Sequence, residues 1–307
     1  MGKGRVGQKD KELHELQKNL QLRDGLSEWR GRLTSMHDWQ WCEQFGLSYL
    51  TCDLLSPWFH GFFSRSTWPA KPETIADQLA VHKAWGEQSV LTFRTKQVHG
   101  KEVLPVETLS PLGMPSASDS SDLENADGLI ADPQSRSSPQ GVWVASADCT
   151  PVLIGDVSTR QVAAIHAGWR GTAAQIVPAA LEQLKHRGSQ LKDLRIALGP
   201  AISGTVYQVD RSVALQVCET IAPEPLTPET LDEAMAALEG IPLLPDPEPG
   251  KVRLDVRQVI AAQLRQRGIA EEQVAIAPYC TYQSPETFFS YRRTGEKAVQ
   301  WSGIVAD

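Results

Sequence analysis

Residues 141–171 read GVWVASADCTPVLIGDVSTRQVAAIHAGWRG. Three apolar runs, GVWVASAD, PVLIGD and QVAAIHAG, follow one another with tight polar connections. Each is short and rich in β-branched residues, so they read as three consecutive strands. Immediately downstream, GTAAQIVPAALEQLKHRG reads as a helix that ends at Gly188 and kinks at Pro178. Upstream, YLTCDLL, His60–Arg65 and VLTFRTKQV are strand-like, and Pro72 opens a helix through ETIADQLAVHKAW. Residues 105–140 are rich in Ser, Pro, Asp and Gly and form a loop around a short ADGLIAD strand. LRIALGP is a further buried strand, and helical patterns follow near 211–221, 229–239 and 255–267. PLLPDPEPG (242–250) reads as a loop, and VAIAPYCTY and TFFSYRR as strand-like segments. Strands crowd the middle of the chain and helices its later part, without a regular βαβ alternation. That predicts an α+β fold, a layered sandwich with mixed sheets, over a dinucleotide-binding architecture.

Residues 1–47 read as a partly flexible N-terminal extension and residues 48–307 as a single domain. Residues 1–35 carry eight Lys/Arg against five Asp/Glu, and Leu13, Leu16 and Leu20 recur at helical spacing. Trp39, Trp41 and Phe45 read as core or as a docking edge. The chain of 307 residues has a net charge of −7, which argues against duplex-DNA binding and so against a nucleic-acid partner. No apolar run approaches the roughly 20 residues of a membrane span, and the charged N-terminus lacks the apolar core of a secretory signal. The five cysteines are scattered, with no CxxC pair, as in proteins of a reducing compartment. The expectation is a soluble cytoplasmic protein with no membrane partner.

No phosphate-loop, dinucleotide, nucleophile-elbow or HExxH motif occurs. Polar residues stand instead at strand ends: Gln97-Val98-His99-Gly100, Asp148-Cys149-Thr150-Pro151 and His166-Ala167-Gly168-Trp169-Arg170. Taken singly, Cys149 reads as a small buried hydrophobe, Asp148 as a turn residue and His166 as a satisfied strand-end histidine. Taken together, two histidines and a cysteine on one sheet edge could supply three ligands with an open fourth position, as a catalytic zinc needs. The same donor set suits copper.

The segments QVHG, ADG (126–128), ADCTPVLIGD, AAIHAGWRGT, LGPAISGTVYQV, CTY and FFSYRRTG, in this order, resemble the laccase-domain family. That family is also described as multicopper polyphenol oxidase-like, as peptidoglycan-editing factor and as purine nucleoside phosphorylase. The resemblance runs over roughly residues 48–305. It implies an α/β/β/α sandwich related to toxin deamidases and a metal site, most often zinc with copper possible, formed by His99, Cys149 and His166. It also implies phosphorolysis of adenosine, inosine and methylthioadenosine, together with deamination of adenosine, so purine nucleosides and phosphate are the expected partners. Zinc would lower the pKa of bound water for the deamination, with Asp148 as the candidate proton carrier. Arg65, Gln97, Arg170 and Arg292, with Arg293, are the candidates for substrate and phosphate, since an arginine fork suits an oxyanion. Phe63, Trp169, Tyr207 or Phe289 could stack on a purine. The chain departs from the family pattern at Ser64-Arg65-Ser66-Thr67, where a paired glycine is missing, at Gln208, where a carboxylate is usual, and at Glu296-Lys297 in the closing segment. Two other chemistries use the same residues: a thiol hydrolase acting on peptidoglycan precursors, with Cys149 as nucleophile and His166 or His99 as base, and copper-dependent polyphenol oxidation.

Overall fold

The computed structural model describes residues 37–80, 89–112, 123–236 and 242–307. The predicted N-terminal helix around Leu13–Leu20 lies outside them. One six-stranded sheet has the order β1 (Trp39–Gln44), β2 (Leu47–Cys52), β3 (His60–Phe63), β15 (Gln300–Ala306), β7 (Gln140–Ser146), β4 (Leu91–Phe93). The second has the order β14 (Val274–Ile276), β10 (Leu194–Leu198), β8 (Thr150–Asp156), β9 (Val162–Ala167), β6 (Gly128–Ala131), β5 (Val103–Pro105). Both are mixed: β4 is parallel to β7, β14 to β10 and β5 to β6, and the other pairs are antiparallel. A small antiparallel sheet joins β11 (Gln208–Asp210), β13 (Lys251–Leu254) and β12 (Leu243–Pro245).

The predicted central strands form because alternate side chains on each have a different core to enter. On β8, Val152 and Ile154 face one cluster and Leu153 the other. On β9, Ala163 and Ile165 are separated from Val162 and Ala164 in the same way. The shared cluster lies between the sheets, where Leu50, Phe62, Val142, Val144 and Ile304 meet Leu129, Leu153, Ala164 and Ala197. The outer face of the second sheet is covered by α3 (Ile176–His186) and α6 (Val256–Gln266), through Val177, Leu181, Val259 and Leu264. The outer face of the first carries Tyr49, Phe63 and Trp143 beneath Ile75 and Ala76 of α1 (Pro72–Ala80). The layers are therefore α/β/β/α, as expected.

Several local expectations need correction. The sheet begins at Trp39, so residues 39–47 are an edge hairpin of the body and not part of an extension. The helix after His166 is interrupted before Pro178: α2 (Trp169–Ala173) ends, Gln175 takes a left-handed φ of 58°, and α3 starts at Ile176. Pro178 then lies in a first turn, where no intrahelical N–H is needed. The 242–250 loop contains β12, and 287–293 forms no strand but leads into the short helix α7 (Tyr291–Thr294). The other helices are α4 (Arg211–Cys218) and α5 (Leu231–Ala236). No helix among the described residues is long and apolar enough to cross a membrane.

Candidate metal centre

Strand register assembles the site. Thr150 of β8 lies opposite Ala167 of β9, and Pro151 opposite His166. Gly128 of β6 lies opposite Ile165. One end of the second sheet thus brings together Cys149 just before β8, His166 on β9 and Asp127 just before β6. His99 comes from the segment leading into β5, whose Val103 runs beside Gly128.

One donor atom from each of His99, Cys149 and His166 lies within 4.8 Å of the others. That is the scale of a shared ion with bonds of about 2.0–2.3 Å. The two imidazoles meet edge to face, with centroids 4.8 Å apart. His166 is buried, Cys149 half-buried and His99 exposed, so the cluster opens to solvent on the His99 side. His166 Nδ1 is 2.9 Å from Asp127 Oδ1, which leaves Nε2 as the coordinating nitrogen. Burial alone would push the Cys149 thiol up, but His166 and His99 beside it more than offset this and hold it at about 6. Burial would lower His166, yet the Cys149 thiolate and the Asp127 carboxylate raise it to about 9. A half-buried thiolate beside two imidazoles is a donor set for zinc or copper. Gly168 keeps the space clear: a Cβ there would stand 2.8 Å from Cys149 Sγ and 3.4 Å from His99 Cδ2.

Two residues at the site hold positive φ, His99 at 60° and Asp148 at 91°. Such conformations cost on the order of 1–3 kcal/mol and persist where neighbours over-determine them. Asp148 is locked by three segments: Oδ1 accepts from Thr281 Oγ1 at 2.6 Å, Oδ2 from the Arg292 backbone N–H at 2.7 Å, and its carbonyl from the Ile202 N–H. Both of its carboxylate oxygens are thus engaged by the protein.

The remaining candidates divide. Gln97 is paired reciprocally with the Ala145 backbone, both bonds at 2.7 Å, and continues the first sheet beyond β4 in place of a strand. Both ends of its amide are spent on β7. Arg65 donates to the Pro285 carbonyl and lies 4.7 Å from the Phe289 ring centroid, bracing the C-terminal loop. Arg293 donates to the carbonyls of Thr281, Tyr282 and Phe288. Arg170, at the start of α2, stacks over Trp169 at 4.4 Å, and its guanidinium makes no hydrogen bond among the described residues. Arg292 lies 4.8 Å from the Tyr207 ring centroid and donates to the Gln208 carbonyl. Tyr207 senses the whole group: burial pushes it up to about 12, Cys149 and Asp148 add to this, and Arg292 and Arg170 oppose it. Phe63 is fully buried between Tyr49 and Trp143, which removes it as a stacking surface. Asp127 and Thr281 lie in the ADG and CTY segments that carry the family resemblance, but the sequence assigned them no role.

The profile of the family described as multi-copper polyphenol oxidoreductase laccase matches residues 71–307. The chain belongs to this laccase family. A fellow relative from Synechocystis sp., named purine nucleoside phosphorylase, is 50% identical over 270 residues, covering 87% of this laccase-family chain and 97% of the relative. Adenosine deaminase RL5, from an unknown prokaryotic organism, is 28% identical over 173 residues, covering 56% of the chain and 59% of the relative. The crystal structure of the YfiH protein of Bacillus licheniformis has the same fold, with a TM-score of 0.66 at 21% identity over 87% of this chain and 98% of that one. The laccase-family match contains all three clustered ligands, with Asp127 and Gly168.

Proposed function

We propose that this chain is a metal-dependent purine nucleoside phosphorylase that also deaminates adenosine, with His99, Cys149 and His166 holding the metal. The observation that carries the reading is the three-ligand cluster at a solvent-open strand edge, beside Arg170, Tyr207 and Arg292. The names of the relatives from Synechocystis and of RL5 supply the substrate class. Zinc is the metal of first choice and copper the second, since both accept two imidazoles and a thiolate. When bound, the metal supplies a Lewis acid and an activated water.

The chain's own residues do the rest. Asp127 accepts a hydrogen bond from His166 Nδ1–H and so presents Nε2 to the cluster. Trp169 and Tyr207, both half-buried, each carry an arginine over the ring, so a purine stacking on either would take that arginine's place. Arg170 has a guanidinium unclaimed by any carbonyl among the described residues, so it is the phosphate clamp in preference to Arg65. Asp148 accepts one hydrogen bond on each carboxylate oxygen, from Thr281 and from the Arg292 N–H, and so fixes those two segments beside the cluster. The described residues offer one cluster of three ligands, fewer than a multi-copper oxidase array uses. A thiol-hydrolase reading would need the Cys149 thiolate as nucleophile, free of metal.

The test is product analysis on adenosine. Phosphorolysis gives adenine and ribose 1-phosphate only with phosphate present, and deamination gives inosine without it. Free ribose independent of phosphate, or activity unchanged after complete metal removal, contradicts the proposal.

A further inference from the structure

We infer that Asp127 is the positioning residue of the metal centre, one carboxylate that sets both the ligating nitrogen of His166 and the backbone that carries His99. The inference rests on the reading that His99, Cys149 and His166 hold a metal. Asp127 is fully buried at the start of β6. Its Oδ1 accepts from the His99 backbone N–H at 2.9 Å and faces His166 Nδ1 at the same distance. Its Oδ2 accepts from the Val98 N–H at 3.1 Å and the Gly100 N–H at 2.7 Å. Its own carbonyl accepts from the His166 N–H at 2.7 Å.

Three successive backbone N–H groups turned onto one anion form a concave nest, and such a nest needs a residue in the left-handed region. That accounts for the φ of 60° at His99, a conformation otherwise disfavoured for histidine. The His99 side chain is exposed and meets Cys149 and His166, so its placement follows from the held backbone. A neutral imidazole has one N–H. Spending it on Asp127 leaves the His166 lone pair on Nε2, toward the cluster. Burial keeps Asp127 away from any substrate, so it acts only through the ligands.

Asp127→Asn separates this role from a merely structural one. Asparagine has nearly the same shape, but whichever way its amide turns, an NH2 faces backbone N–H donors. It meets either His99 and His166, or Val98 and Gly100. The affinity of the folded protein for Zn2+ and for Co2+, measured by chelator competition, is expected to fall about tenfold to a hundredfold. The thiolate-to-cobalt absorption band should weaken or shift. Asp156→Asn is the control: it removes another fully buried carboxylate, at the far end of β8, which accepts from the backbone of Ser158 and Thr159. It should leave metal affinity unchanged. Equal affinity and spectrum in wild type and Asp127→Asn overturns the inference, as does an equal loss in Asp156→Asn. A wild type that takes up neither metal overturns the metal-centre reading, and this inference with it. If Asp127→Asn does not fold, amide hydrogen exchange of the wild type decides: protection of about a hundredfold at residues 98–100 supports the clamp, and exchange at the rate of a free loop overturns it.

Discussion

Gly168 sits where the ligands leave least room. Any larger residue puts a carbon against Cys149 Sγ and the His99 ring. Gly168→Ala is expected to lower metal affinity about tenfold or more, while far-ultraviolet dichroism remains native; metal content after dialysis measures the first effect. Among the arginines, Arg170 is the proposed phosphate clamp and Arg65 the proposed structural brace. Arg170→Ala should lower phosphate-dependent efficiency about tenfold to a hundredfold, the worth of a hydrogen bond to a charged group, and leave deamination largely intact. Arg65→Ala should instead destabilise the protein by about 1 kcal/mol, through its lost contacts with Phe289 and Pro285. Phosphate saturation curves and urea unfolding of the two variants distinguish these outcomes. His99, Cys149 and His166 stood out because QVHG, ADC and HAGWRG carry the family resemblance; read singly, each fitted an ordinary structural role as well. Asp127 gained no role there, because its partners lie 27 to 39 residues away and only the sheet register brings them near.

Among the elements, β7, β8 and β9 were readable because both faces of each are buried, giving continuous apolar runs. β15 was missed, although it is central in the first sheet between β3 and β7. Its partners are more than 150 residues upstream, and its small residues Ser302 and Gly303 weaken the local signal. The aromatics of 287–293 misled in the opposite direction. Phe288 and Phe289 are buried by Trp41, Tyr279, Trp68 and Arg65 and not by a strand ladder. Packing between the sheets is tight at Gly199, where a Cβ would come 2.2 Å from Phe62 Cδ1 and 2.9 Å from Pro151 Cγ. Overpacking of this kind costs about 1–3 kcal/mol. Gly199→Ala should therefore lower the thermal midpoint measurably, and an unchanged midpoint would show that the sheets separate there easily.

At the scale of the whole molecule, two mixed sheets packed face to face and covered outside by helices carry the centre at one end of the second sheet. His37 and Asp38 already pair with Glu272 and Asp53, and β1 follows at Trp39, so a chain starting near Ser35 keeps these contacts and should fold, bind metal and retain turnover. Loss of turnover in a folded truncation would assign the N-terminal segment a part in the reaction. The family match places this architecture among laccase-domain proteins, and His99, Cys149 and His166 form one three-residue metal-type cluster among the described residues. The most direct measurement is restoration of adenosine turnover, with phosphate present, as Zn2+ is added back to chelator-stripped protein. The account predicts a linear rise that ends at one equivalent per chain, and no recovery in Cys149→Ala. Turnover that ignores metal, or full recovery in Cys149→Ala, would contradict it.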